Sequence, residues 1–194
     1  MKRDAQATRA RILAAATSEF AGFGIAGARV DRIAAAAAAN KNMIYVYFGN
    51  KDLLFDAVFA DAIRDLLDTV AIDAQDLPGY AAALFDHIER HPELSRLARW
   101  QGLERPGAID RLEAAVSGTA AKIEALASAQ AAGLVNDRMT PDQLFSLVFA
   151  VAATWSAGAP ELSPDRASAA VTAARRAAVV LAVERLSAPD AHHR

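Results

Sequence analysis

The stretch Thr8 to Phe59 reads TRARILAAATSEFAGFGIAGARVDRIAAAAAANKNMIYVYFGNKDLLFDAVF and decides the fold. Ile12, Leu13, Ala16 and Phe20 recur at three- and four-residue spacing, which marks one apolar face of a helix that Gly22 and Gly24 bring to an end. A second helix is expected from near Val30 through Ile33 and the six alanines Ala34 to Ala39, with Asn40 closing it and capping the next. The third is short, Lys41 to Tyr47. Gly49 and Asn50 separate it from a fourth that runs from Lys51 to about Val70, where Asn50 can act as N-cap and Asp52 suits the positive helix start.

Two short helices joined by a tight turn, with another packed across them, form a helix-turn-helix arrangement. In that arrangement the second helix enters the major groove. Its early residues meet base edges, while hydroxyls and basic groups hold phosphates. Here these are Lys41, Asn42 and Met43, of which Asn42 can pair with adenine and Met43 can touch a thymine methyl. Lys51 opens the following helix, where its ammonium and the helix N-terminus can share one phosphate. Tyr45, Tyr47 and Phe48 fit either a core aromatic cluster or a DNA-facing one. Helical spacing puts Ile44 and Phe48 on one inward face and turns Tyr45 away from it, which favours DNA for the two tyrosines.

Charge divides along the chain in the same sense. Residues 1–51 hold eight basic and three acidic side chains, although the whole protein of 194 residues is at −2. A basic head on an acidic body implies a polyanion contact made by the head alone. With no cysteine, disulfides, thiolate chemistry and Cys-based metal sites are excluded. The most apolar segment, Leu144 to Trp155, is shorter than the roughly 20 residues a membrane span needs, and no secretion signal is visible. A soluble, cytoplasmic protein without membrane partners is expected.

Composition favours helices throughout, with 54% hydrophobic residues, 7 prolines and no run of alternating β-branched residues. Helices are expected over Pro78 to Arg90, Pro92 to Glu104 and Ala108 to Ala132, separated by His91-Pro92 and Pro106-Gly107. Thr140-Pro141-Asp142-Gln143 is a capping box with proline at the first helical position, opening a helix through Trp155. Ser163-Pro164-Asp165 starts the last helix, which ends near Leu186. The fold class is therefore all-α with about nine helices. The expected division is a helix-turn-helix domain over 1–51, continued by a connecting helix over 51–70. A larger helical domain covers 71–188, and a flexible tail 189–194.

Enzymatic signals are weak. There is no phosphate-cradling glycine loop and no nucleophile elbow. His87 and His91 lie four apart, but Glu89 between them does not fit a helical metalloprotease pattern and His91 precedes a proline. No catalytic residue, metal or cofactor is expected. Phe85, Trp100, Leu103, Phe145, Phe149 and Trp155 are candidates for lining a ligand pocket, with plain core packing the competing reading. The apolar residues Leu144 to Trp155 wrap more than one face of their helix, as in a helix lying between a core and a partner subunit. Ala170, Ala174, Ala178 and Ala182 form a four-residue ridge that allows close helix approach.

The first segment closely resembles the DNA-binding domain of the TetR family of bacterial transcription regulators, whose pattern is roughly I-A-x-x-A-G-V-S-x-x-x-L-Y-x-Y-F-x-x-K. Ile33-Ala34, Ala37 to Asn40, Ile44-Tyr45, Tyr47-Phe48 and Lys51 stand in that register, and Thr8-Arg9, Ile12-Leu13, Ala15-Ala16, Phe20 and Gly24 match the family's first helix. The resemblance covers roughly the first 55 residues. It implies phosphate contacts from Arg29, Lys41, Tyr45, Tyr47 and Lys51, and base contacts from Asn42 and Met43, with Asn40 beside them at the interface. It further implies a homodimer formed by the last two long helices, here with Phe145, Phe149 and the alanine ridge at the interface. The partners implied are a double-stranded DNA operator and a small-molecule effector of unknown identity. Two departures stand out. Ala38 occupies the family's usual turn glycine, at a cost of about 1 kcal/mol in a left-handed conformation, so a slightly different turn is expected. Ala28-Arg29 replaces a frequent Ser or Thr, so the second helix lacks a side-chain cap. The resulting expectation is a ligand-responsive repressor. The alternatives are an all-helical carrier or enzyme with a merely structural head, and a ligand-free architectural DNA-binding protein.

Overall fold

The computed structural model describes residues 2–106, 113–157 and 168–189. Among these residues there are nine helices and no strands. They are α1 (Lys2–Gly27), α2 (Val30–Ala36), α3 (Lys41–Phe48), α4 (Lys51–Thr69), α5 (Leu77–Arg90), α6 (Pro92–Glu104), α7 (Glu113–Ala131), α8 (Pro141–Ala157) and α9 (Ala169–Ser187). The chain forms two compact units, one of 1–65 with 93–115 and the other of 66–92 with 116–194. The expected starts of α7 at Ala108 and of α9 at Ser163-Pro164-Asp165 lie outside the described residues, as do positions 190–194 of the tail.

In the first unit Ile12, Ala16, Phe20, Ile33, Ile44, Leu54, Phe55, Val58 and Phe59 are buried. Phe20 meets Phe55 edge to face at 5.2 Å, and Phe59 stacks on Phe55 at 6.0 Å. Two helix ends in this unit differ from the sequence expectation by more than one residue. The break in α1 falls at Gly24 (φ 72°), not Gly22, and a further turn follows to Gly27. Helix α2 stops at Ala36, three residues short of the end of the alanine run, because Ala38 takes φ 47°.

In the second unit α5 packs against α8 and α9. Its buried face carries Tyr80, Ala81, Leu84, Phe85 and Ile88, opposite Leu144, Val148 and Ala152 of α8 and Val179 and Val183 of α9. Asp76 caps α5 through Gly79 N–H at 2.9 Å. The capping box of α8 closes on one side, with Thr140 N–H donating to Gln143 Oε1 at 3.1 Å, while the Thr140 hydroxyl turns to the Asp142 carboxylate. Arg176 on α9 holds Asp86 on α5 through Nε at 3.0 and 2.9 Å. Asn136 Nδ2 closes the C-terminus of α9 by donating to Leu186 O at 2.6 Å.

Lys122 on α7 is a buried cation. Its ammonium donates to Tyr80 Oη at 3.1 Å and to Val70 O, the carbonyl just past the end of α4, at 3.3 Å. Burial pulls the ammonium below the usual lysine range. The same burial pushes the Tyr80 phenol from 10 up to about 12. A raised folded-state value means that the unfolded chain loses this proton first. The stability linked to the protonated phenol is complete below pH 10 and is lost as pH rises toward 12. Tyr80→Phe is expected to remove that part of the alkaline decline, read as a smaller drop in urea unfolding free energy between pH 9 and pH 11.5 than in the wild type.

Candidate nucleic-acid interface

The recognition helix α3 is oriented by two residues and capped by one. Ile44 and Phe48, one turn apart, are buried, and the Arg9 guanidinium lies 5.1 Å from the Phe48 ring centre. Asn40 Oδ1 accepts the Asn42 N–H at 2.9 Å, so this side chain starts the helix. The outer face presents Lys41, Asn42, Met43, Tyr45 and Val46, with Tyr45 42% and Val46 81% exposed. Tyr47 is half-buried, its ring edge-on to Phe48 at 6.3 Å. Val46 was not singled out by the sequence reading. A valine that exposed, one turn beyond Asn42 and Met43, continues their stripe along the helix, and the signal for it was the inward assignment of Ile44 and Phe48 itself.

Several basic residues of the head are engaged internally. Lys41 pairs with Asp31 at 2.8 Å, which holds the lysine above and the aspartate below their ordinary ranges. Lys51 Nζ donates to Ala26 O and Ala28 O at 3.2 and 3.3 Å, fastening the start of α4 to the end of α1. Asn50 Oδ1 caps that same helix start through Leu53 N–H at 2.9 Å. Arg29 exposes its side chain and donates its backbone N–H to Glu19 Oε1 at 2.8 Å. Glu19 thus fixes from α1 the residue that opens α2, while α2 itself has no side-chain cap, as Ala28-Arg29 implies. It also accepts from Arg32, with Nε at 2.8 Å and Nη2 at 2.6 Å. Burial pushes the Glu19 carboxyl up, but the hydrogen bonds from Arg32 and Arg29 and their charges outweigh it, and it titrates below the usual range.

The break in α1 is held from α6, within the same unit. The Glu104 carboxylate accepts the N–H groups of Ile25 and Ala26 at 3.2 and 2.7 Å, capping the turn that restarts after Gly24. Trp100 donates Nε1–H to Ala21 O at 3.4 Å, and Arg105 pairs with Asp56 of α4. A Cβ at Gly24 would stand 2.5 Å from Glu104 Oε1 and 2.9 Å from the Trp100 ring, so both the positive φ and the close approach require glycine there.

Residues 12–58 match the family model described as bacterial regulatory proteins of the tetR family, and residues 76–185 match the tetracyclin repressor-like C-terminal domain. The chain belongs to the TetR family. It is 43% identical over 166 residues to the HTH-type transcriptional repressor SCO4008 of Streptomyces coelicolor, covering 82% of this chain and 83% of that protein. It is also 34% identical over 110 residues to the repressor NicS of Pseudomonas putida, covering 53% of this chain and 52% of that protein. The crystal structure of the putative transcriptional regulator SCO4942 from Streptomyces coelicolor superposes with a TM-score of 0.84 at 39% identity, over 94% of this chain and 99% of that one. The families and relatives matched are regulators rather than enzymes, and no helix among the described residues is long and apolar enough to cross a membrane.

Within this TetR-family head the turn keeps its left-handed residue although alanine occupies it. Ala39 N–H reaches Ala34 O at 3.0 Å and Ala38 N–H reaches Ala35 O at 3.2 Å, the paired bonds of a Schellman ending. The turn that was expected to differ is formed with Ala38 at φ 47°.

The residues considered for a ligand pocket separate. Trp100 and Leu103 belong to the first unit, Trp100 against the Gly24 break and Leu103 69% exposed. Phe85, Phe145, Phe149 and Trp155 belong to the second, where Phe85 is buried and meets Trp155 edge to face at 6.3 Å. Phe145 is half-buried, and Phe149 is exposed on the outer side of α8. Ala170, Ala174 and Ala178 are exposed along α9 and Ala182 is half-buried. The rings of His87 and His91 lie 4.5 Å apart at the end of α5.

Glu104→Ala removes a charge-assisted acceptor from two backbone amides. A loss of about 2 kcal/mol in unfolding free energy is expected from the typical worth of hydrogen bonds to charged groups. Urea denaturation of the full chain measures it, and a loss within error of zero would show that water caps Ile25 and Ala26 equally well.

Proposed function

We propose that the chain is a homodimeric, ligand-responsive repressor that is released from a palindromic operator by a small molecule. The observation that carries the reading is the outer face of α3, where Asn42, Met43, Tyr45 and Val46 are exposed on a helix anchored by Ile44 and Phe48. A short exposed helix with one amide, two alkyl groups and a phenol can read base edges and hold a phosphate, and has no evident purpose in a carrier or enzyme. Arg29, Asn40, Lys41, Tyr47 and Lys51 flank it, and Val46 joins the residues assigned to base contact. The names of SCO4008 and NicS support repression.

One recognition helix of eight residues contacts few bases, so two related by a dyad are required to define a site. The apolar exposure of Leu147, Phe149 and Leu181, with the exposed small residues Ala170, Ala174 and Ala178, supports α8 and α9 as the paired surface. In this reading residues 1–51 recognise DNA in the cytoplasm, 51–70 connect, and 71–188 bind the effector and dimerise. Phe85, Phe145 and Trp155 remain the pocket candidates of that second part, while the exposed Phe149 is assigned to the paired surface alone. A structural relative of the same fold, a FadR from Bacillus subtilis solved with stearoyl-CoA, is 16% identical and has a TM-score of 0.68. It supports the fold as a ligand holder and leaves the effector open. Effector binding would favour a spacing of the two recognition helices that misses successive major grooves about 34 Å apart. A coupling of about 1 to 3 kcal/mol suffices.

Selection of bound fragments from a random duplex library tests the reading. A palindromic consensus is expected, with affinity that falls steeply as salt rises. Tyr45→Ala is expected to weaken binding to the selected site at least about five-fold while the dimer persists in sedimentation, the cost of roughly one lost contact. Duplex affinity that is absent, or indifferent to salt, would favour the carrier reading.

A further inference from the structure

Arg11 is basic, stands in the DNA-binding head, and makes two internal bonds. Its Nε donates to Ala37 O at 3.2 Å and its Nη2 to Thr8 Oγ1 at 3.2 Å, one turn back on α1. Ala37 is the residue at which α2 ends (φ −78°, ψ −5°), and its carbonyl belongs to the peptide that leads into Ala38 at φ 47°. The two Schellman bonds satisfy the carbonyls of Ala34 and Ala35, not that of Ala37. In an uninterrupted alanine helix the Ala37 carbonyl would accept from the chain four residues on.

We propose that Arg11 is a positioning residue for the recognition helix, taking the Ala37 carbonyl so that the Ala37–Ala38 peptide stays in the left-handed turn that aims α3. Three facts support it. The alanine run offers no internal stop, since alanine is the best helix former and the run extends to Ala39. Ala38 is the one non-glycine residue with positive φ among the described residues, so the turn works against the preference of its own side chain. The planar guanidinium is held at both ends, by Thr8 and by Ala37, which fixes where its Nε–H points. The role rests on the DNA-reading function proposed above, but the brace itself is a property of the unliganded protein.

The test is a double-substitution cycle in the full chain, with Arg11→Gln, Ala38→Gly and their combination, followed by urea unfolding and by binding to the duplex that the wild type selects. Glycine adopts the left-handed turn without help, so the brace matters most when alanine is present. Arg11→Gln is expected to weaken DNA binding about five-fold in the Ala38 protein and less than about two-fold in the Ala38→Gly protein. The salt dependence should stay unchanged because no phosphate contact is lost. Arg11→Lys keeps the charge but lacks the planar Nε–H, and should behave like Arg11→Gln. Equal losses in both backgrounds overturn the proposal. So does a shallower salt dependence in Arg11→Gln with full binding by Arg11→Lys, which would make Arg11 a phosphate contact. Unfolding midpoints without DNA decide the brace even if the regulator reading fails. A midpoint loss from Arg11→Gln that shrinks in the glycine background supports it, and additive losses overturn it.

Discussion

The candidate interface depends on a mismatch of scale, because the helix that carries the residues proposed to contact DNA is too short to exist by itself. Helix α3 has eight residues and α2 seven, whereas isolated helices below about 12 to 15 residues are marginal in water. Their geometry is therefore borrowed from α1 and α4. Ile44 and Phe48 anchor α3 in a core built by Ile12, Ala16, Phe20 and Phe55. Three helix starts in the head have an acceptor for a first-turn amide, Asn40 for α3, Asn50 for α4 and Glu104 for the restart of α1, and Glu19 holds the N–H of Arg29 where α2 begins. Removing the orphan amides one at a time is what lets two such short helices hold fixed directions.

This has a consequence for charge. The head has a basic excess, and counting residues would offer all of it to the phosphate backbone. In the folded chain Arg32 is committed to Glu19, Lys41 to Asp31, Lys51 to the carbonyls of Ala26 and Ala28, and Arg11 to Ala37. Lys51 and Arg11 serve as C-terminal caps, where a cation meets the negative end of a helix. A cation used this way still contributes to the local potential, but its donors are directed inward. In the proposed interface, base and phosphate contact falls more heavily on hydroxyl, amide and alkyl groups than the composition suggests.

The parts of this fold legible in the sequence are those set by residues close together. The caps by Asn40 and Asn50, the start of α8 at Thr140, and the inward pair Ile44 and Phe48 follow from spacings of two to four positions. What spacing could not reveal are partners brought together by folding. Glu104 lies 79 positions from Ile25, and nothing local marks it as the cap of a helix in another part of the chain. Trp100 read as an apolar residue available to a pocket, yet its indole N–H is directed to Ala21 O. Glu19 and Arg29 are ten positions apart, and the missing side-chain cap of α2 is visible in the sequence while the bond that holds the Arg29 N–H is not.

The alanine run shows why a boundary can be unreadable in principle. Six identical residues carry no positional information, so periodicity extends α2 to its natural limit at Ala39, and the observed helix ends three residues earlier. The stop is imposed from outside the run, by the length of chain that must pass before Asn40 can cap α3 and by the bond that Arg11 makes to Ala37. A glycine at position 38 would have written the same stop into the sequence. With alanine there, the information has moved to tertiary contacts. The turn depends on the integrity of α1 more than its own residues imply, and a change in the first helix can reach the face proposed to meet DNA without altering any residue on it.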